Sequence, residues 1–155
     1  MDIDDLVKLC GRAWAIPILA HLHKGVPGRQ APLLRATGAA RSAFGHSLDH
    51  LIKLKLLARN TGHGHPLRPE YVLTDAGQII AERASQITDA VPDPAGFQLI
   101  RRSWTLPVLA LSQAPTGYSD IKGRLGNVTD RALSQALRGL VDHDWMARQI
   151  NKSAT

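Results

Sequence analysis

The stretch "RAWAIPILA" at residues 12–20 returns as "RSWTLPVLA" at residues 102–110. Five of the nine positions are identical, and the Ala/Ser, Ile/Leu and Ile/Val pairs differ conservatively. Tryptophan with arginine two before it and proline three after it is a rare combination, so the chain reads as a duplication. An internal repeat constrains architecture before any local signal does. Shifting by 89 instead of 90 lays "SLDHLIKLKLLAR" (47–59) over "ALRGLVDHDWMAR" (136–148), with Leu48 on Leu137, Leu51 on Leu140 and Ile52 on Val141. One indel between the segments accounts for the change of offset. The repeat predicts a first unit over 1–90, a linker "VPDPAG" over 91–96 and a second unit over 97–155. The linker's prolines stop the preceding helix.

Periodicity fills in each unit. Ile3, Leu6, Val7 and Cys10 recur at i, i+3, i+4 and i+7, one face of a helix that Gly11 breaks. A second helix is expected from about Trp14 to His23, with Pro17 in its first turn, where proline is best tolerated. A short helix covers about Arg29 to Ala36. A longer one follows from Arg41 to about Leu54, with Phe44, Leu48, Leu51 and Ile52 inward. "LLARN" and "PEYVLT" are β-compatible runs on either side of the Gly/Pro-rich tip "TGHGHPLR". Thr74 or Asp75 caps a closing helix through Ala90, with Ala76, Ile79, Ile80, Arg83, Ala84 and Ile87 on one side. Three helices, a hairpin and a helix form the winged helix-turn-helix layout.

The second unit repeats it with helices over Phe97–Arg102, Trp104–Ser112, Tyr118–Leu125 and Thr129–Asp142, the last with Leu133, Leu137, Leu140 and Val141 inward. "WMARQI" is expected to begin a strand, but no return strand or closing helix follows. The predicted class is therefore mainly α with small β wings: two tandem winged helix-turn-helix units, the second with a truncated wing. An unpaired edge invites pairing with a second copy. The expectation is thus an internal pseudo-dimer of the two units, with Ile80, Ala84 and Ile87 at the contact, and a homodimer through the C-terminal edge.

Composition narrows the function. The net charge is +6, with eleven Lys/Arg against eight Asp/Glu in residues 1–90 and eight against five in residues 91–155. The basic excess is spread over both halves, which favours a polyanionic partner. No apolar run approaches the roughly 18 residues of a membrane span, so no membrane partner is expected. The N-terminus "MDIDDLVKLC" is acidic and not a secretory signal. The lone Cys10 cannot form an intrachain disulfide, which suits a cytoplasmic location. GxSxG, Walker, HExxH and CxxC patterns are all missing, so an enzyme is not expected and no cofactor is implied. His46 and His50 at i, i+4, and His63 and His65 around a glycine, have zinc-compatible spacing. Neither pair has a third ligand nearby, and a metal is not expected.

The residues "CGRAWAIPILAHLHKGV", "SLDHLIKLKLLAR" and "HPLRPEYVLTDAGQII" together resemble the HxlR-like winged-helix transcriptional regulators of bacteria. Glu70, Tyr71, Val72, Leu73, Thr74, Asp75, Ala76 and Gly77 stand where that family closes its wing. "DRALSQALRGLVDHDWMAR" resembles the family's recognition helix. The likeness implies sequence-specific binding of double-stranded DNA; no motif names a small-molecule effector. The chain departs from the family in carrying two units, and in Pro17 and Pro107, which replace an ordinary helical residue. Several family members sense electrophiles through a cysteine near the start of the first helix. Cys10 is at a different, apolar position, so redox sensing is not carried over.

Duplex recognition needs cations for phosphates and short polar side chains for base edges. In the second unit, Arg131, Ser134, Gln135 and Arg138 face outward from the predicted recognition helix. In the first, Arg41, Ser42, Gly45, His46 and Asp49 do so, and Asp49 takes the place of Arg138. A carboxylate aimed at phosphates is repelled, so the second unit is the expected base reader. Arg12, Arg102, Lys122 and the wing-tip Arg68 are candidates for phosphate or minor-groove contact. The bland alternative is an ordinary solvated face for the helix residues, a cap or solvated side chain for Arg12 and Arg102, and a mobile polar loop for Arg68. Trp14 and Trp104 read as core anchors. The competing function is a tandem winged-helix protein-interaction module without direct DNA reading.

Overall fold

The computed structural model describes residues 1–60 and 69–150. The expected wing tip, with Arg68, His63 and His65, lies outside the described residues. Five helices and a hairpin make up the first part: α1 (Ile3–Leu9), α2 (Ala15–His23), α3 (Gln30–Thr37), α4 (Arg41–Lys53), β1 (Leu57–Asn60), β2 (Glu70–Leu73) and α5 (Asp75–Asp89). Four helices follow: α6 (Pro94–Ile100), α7 (Thr105–Leu111), α8 (Tyr118–Leu125) and α9 (Asp130–Asp142). The predicted helices all form, mainly helical with one small antiparallel sheet, in which Leu57 pairs with Leu73 and Asn60 with Glu70. α6 begins inside the expected linker because Asp93 caps it, its carboxylate accepting from the Gly96 N–H at 2.7 Å.

Caps set the ends. Thr74 Oγ1 accepts from the Gly77 N–H at 3.0 Å, and Thr129 Oγ1 from the Ala132 N–H at 3.1 Å. α4 and α9 stop in the same way. Lys55 and Asp144 each adopt φ of 60°, and the next residue's N–H reaches back to the last turn, Leu56 to Leu51 and Trp145 to Leu140, both at 3.0 Å.

Two apolar clusters form the interior, and the chain does not divide cleanly between them. α2, α4, α5 and the sheet build the first around Ile18, Leu19, Leu33, Phe44 and Leu51. Val108, Ile121, Leu125, Leu133 and Leu140 build the second. α1 packs on α7 and α8, giving Ile3 and Val7 to the second cluster while Leu6, Leu9 and Cys10 enter the first. In return, Phe97 and Ile100 of α6 join the first cluster.

Three expectations fail. Residues 145–150 form no strand. After the left-handed turn at Asp144, Trp145 packs against both clusters, and among the described residues no segment pairs with 145–150 to complete a ladder. Val141 is 38% exposed, whereas Ile52, at the corresponding position of α4, packs against the first cluster. The buried side of α5 is rotated from the expected one. Gly77, Ala81, Ala84 and Ser85 are buried and Ile80 and Ile87 partly so, while Ala76, Ile79 and Arg83 are exposed. α5 makes its most extensive contact along α2, and small residues permit that close approach.

Candidate nucleic-acid interface

α4 is held by Phe44, Ser47, Leu48 and Leu51, all buried, and Ser47 Oγ accepts from the Trp14 N–H at 3.2 Å. That fixes α4 against the start of α2 and turns Arg41, Ser42, His46 and Asp49 to solvent. α9 buries Leu133, Ala136 and Leu140, and leaves Arg131, Ser134, Gln135 and Arg138 exposed. Ala136 takes the place of Ser47, so α9 lacks the hydroxyl that ties α4 down.

The candidate residues separate into two groups. His46, Gln135 and Arg138 line a cleft of about 890 Å³ together with Arg12 and Arg102. Arg41, Ser42, Arg131 and Ser134 are exposed outside it. The cleft lies between the middles of α4 and α9 and the corners α1–α2 and α6–α7, and among the described residues that line it Asp142 is the one carboxylate. A smaller cavity of about 120 Å³ shares Arg12 and His46 and adds Asp49, His50 and Lys53.

Lys122 is drawn elsewhere. Its ammonium donates to Asp130 at 2.7 Å, and Tyr118 donates to the same carboxylate at 3.0 Å. The hydrogen bond to Asp130 raises the Lys122 pKa, and the same bond holds the carboxyl of Asp130 below its usual value. Already paired to a carboxylate, this lysine has less charge to offer a phosphate than an unpaired one.

Sequence reasoning missed Arg101. Its guanidinium stacks 4.1 Å from the Trp14 ring centroid and 5.2 Å from that of Phe97, so a cation of the second half sits on the aromatic of the first. Burial lowers its pKa, and its Nε has no hydrogen-bond partner. The available signal was the Arg101–Arg102 doublet, whose first member replaces Gly11 in the repeat. The exchange is reciprocal: His50, which donates through Nε2 to the Lys8 carbonyl at 2.6 Å beside Gly11, is replaced by Gly139 on α9. Trp14 and Trp104 otherwise pack against the first and second clusters as expected.

Among the described residues no group of three or more His, Cys, Asp or Glu could hold a metal ion, and no helix is long and apolar enough to cross a membrane. No curated protein and no solved structure matches the chain. The HxlR-like helix-turn-helix family matches residues 9–93, running from the end of α1 through the sheet and α5 to the cap of α6. That match spans more than half of the sequence and all of the three-helix, hairpin and helix core, and on it the chain belongs to the HxlR-like helix-turn-helix family.

Proposed function

We propose that this protein is a cytoplasmic, sequence-specific DNA-binding transcriptional regulator built from two winged helix-turn-helix units that form an internal pseudo-dimer. The family match carries the DNA-binding reading. The tandem reading is supported by the lengths of α1–α4, which are 7, 9, 8 and 13 residues against 7, 7, 8 and 13 in α6–α9. Matching left-handed stops after α4 and α9 support it further. The exchange of α1 and α6 between the two clusters supports the pseudo-dimer. With no edge strand at 145–150, the expected route to a homodimer through that edge loses its basis.

In a helix-turn-helix the N-terminal residues of the recognition helix meet base edges. On this reading Arg131 and Ser134 of α9, with Arg41 and Ser42 of α4, are the base readers. Arg12, Arg102 and Arg138 supply phosphate contacts. Asp49 on α4 weakens the first unit's hold, so α9 contributes most of the discrimination.

Fluorescence anisotropy on duplexes from the DNA flanking its own gene tests this. The logarithm of affinity is expected to fall linearly with the logarithm of salt, by about 0.9 per phosphate contacted. Arg131→Ala is expected to cost about 1–3 kcal/mol on the specific site and relax preference at one base pair. Equal losses on specific and random duplexes would remove the base-reading role. Salt-independent binding to a protein partner, with no duplex bound, would favour the protein-interaction module.

A further inference from the structure

We infer that the cleft between α4 and α9 is a binding site for one small polyanion bearing phosphate or carboxylate groups, and that its occupancy antagonises DNA binding. Four arginines, Arg12, Arg101, Arg102 and Arg138, line a volume of about 890 Å³, and among the described residues that line it Asp142 is the single carboxylate. Among the described residues none of the four is ion-paired. Arginine presents a planar fork of donors that matches carboxylate and phosphate oxygens two at a time. Like charges gathered from separate chain segments with so little compensation repel one another, and an anion between them relieves that repulsion.

The wall has further features of a binding site. Arg101 is held in place by Trp14 and Phe97, so its guanidinium is ordered before any ligand arrives. The described residues have two buried side-chain polar atoms without a hydrogen-bond partner, Arg101 Nε and Thr105 Oγ1, and both residues line this cleft. Orphaned polar atoms are rare in folded interiors and call for a physical account.

Size suits a small ligand. The volume lies in the roughly 300–1,000 Å³ range of small-molecule sites. The contributing positions pair across the repeat: Ala43 with Ala132, His46 with Gln135, and Arg12 with Arg102. A single anion there bridges the two halves. Arg12, Arg102 and Arg138 belong both to this wall and to the phosphate contacts proposed above, which is the source of the antagonism. That second step rests on the DNA-binding reading; the anion site does not.

Calorimetric titration of the full chain, without DNA and at constant ionic strength, tests the site with inorganic triphosphate in one arm and citrate in the other. One anion per chain is expected in at least one arm. Arg102→Gln and Arg138→Gln, both at exposed positions, are each expected to weaken it at least tenfold. Arg83→Gln, which removes the same charge from the exposed side of α5, is expected to change it less than twofold. Trp104 lines the cleft, so tryptophan emission of the unaltered chain is expected to change saturably at the same anion concentration. No saturable binding in either arm, several ions per chain, or equal weakening in Arg83→Gln would overturn the site. In the DNA arm, saturating triphosphate is expected to lower duplex affinity at least fivefold at matched ionic strength. Unchanged duplex affinity would overturn the antagonism. A chain that binds triphosphate but no duplex would retain the site and overturn the DNA-binding reading instead.

Discussion

Cys10 is 5% exposed at the end of α1, and burial pushes its thiol up to about 12 from 9.0. The thiolate is the reactive form, so this side chain is expected to behave as a small apolar residue. Labelling with a thiol reagent in the native state at pH 7.5 is expected to be far slower than in denaturant. Fast stoichiometric labelling coupled to loss of DNA binding would reinstate a sensor role. The same shift fixes a sign for stability. The neutral thiol's contribution is fully present below pH 9 and is lost as pH climbs from 9 towards 12, because the unfolded chain ionises first. Gly77 is constrained by backbone. A Cβ there would stand 1.9 Å from the Leu56 carbonyl oxygen, which cannot rotate away. Gly77→Ala is expected to cost about 1–3 kcal/mol or more, read as a drop in Tm of about 2–4 °C per kcal/mol. A Tm within a degree of the parent would contradict that packing. Cys10 was legible in the sequence because the apolar period of α1 placed it inward. Arg101 was not, because its partner Trp14 lies in the other half of the chain and no local spacing links them.

Helices were the most legible elements, since their apolar spacing and their Ser/Thr/Asp caps are local properties. The segment "WMARQI" shows the limit of that reading. Its residues suit a strand, but a strand exists only as a member of a ladder, and 70–73 pairs with 57–60, and with Arg29 through Glu70, but not with 145–150. Val141 and Ile79 were misplaced for a related reason, since helical spacing gives a face while neighbouring elements decide how wide it is. α4 ends through Lys55 at φ of 60°, a conformation that costs a residue with a Cβ about 1–2 kcal/mol. Glycine removes that cost but gains about 0.5–1 kcal/mol of unfolded-state freedom. Lys55→Gly is therefore expected to stabilise the protein by about 0.5–1 kcal/mol, measured by urea denaturation. A destabilised variant would mean that Lys55 contributes through its side chain more than its backbone costs.

At the scale of the whole molecule, α1 decides how far the two halves depend on each other. Its side chains divide, with Leu6, Leu9 and Cys10 in the first cluster and Ile3 and Val7 in the second, where α7 and α8 receive them. Phe97 and Ile100 of α6 make the reverse crossing into the first cluster. Cutting the chain after the family-matched segment, at residue 93, removes both crossings at once. The outer side of α1 then has no partner, and the surface left by Phe97, Ile100 and Arg101 opens over Trp14. Half-buried Ile and Val each contribute less than the roughly 1.5–3 kcal/mol of full burial. Summed with the α6 surface, the loss is comparable with the 5–15 kcal/mol that holds a typical domain together. On the proposed tandem reading α2 and α3 are the counterparts of α7 and α8, so a second copy of the fragment can receive α1 in a symmetric arrangement. The fragment 1–93 is therefore expected to dimerise, with a Tm that rises with protein concentration, whereas the full chain, on the proposed pseudo-dimer reading, is expected not to. Light scattering on the fragment and the full chain at matched concentrations distinguishes the two. A monomeric fragment with undiminished helix content would show that the first half is self-sufficient and that the exchange of α1 and α6 adds little to stability.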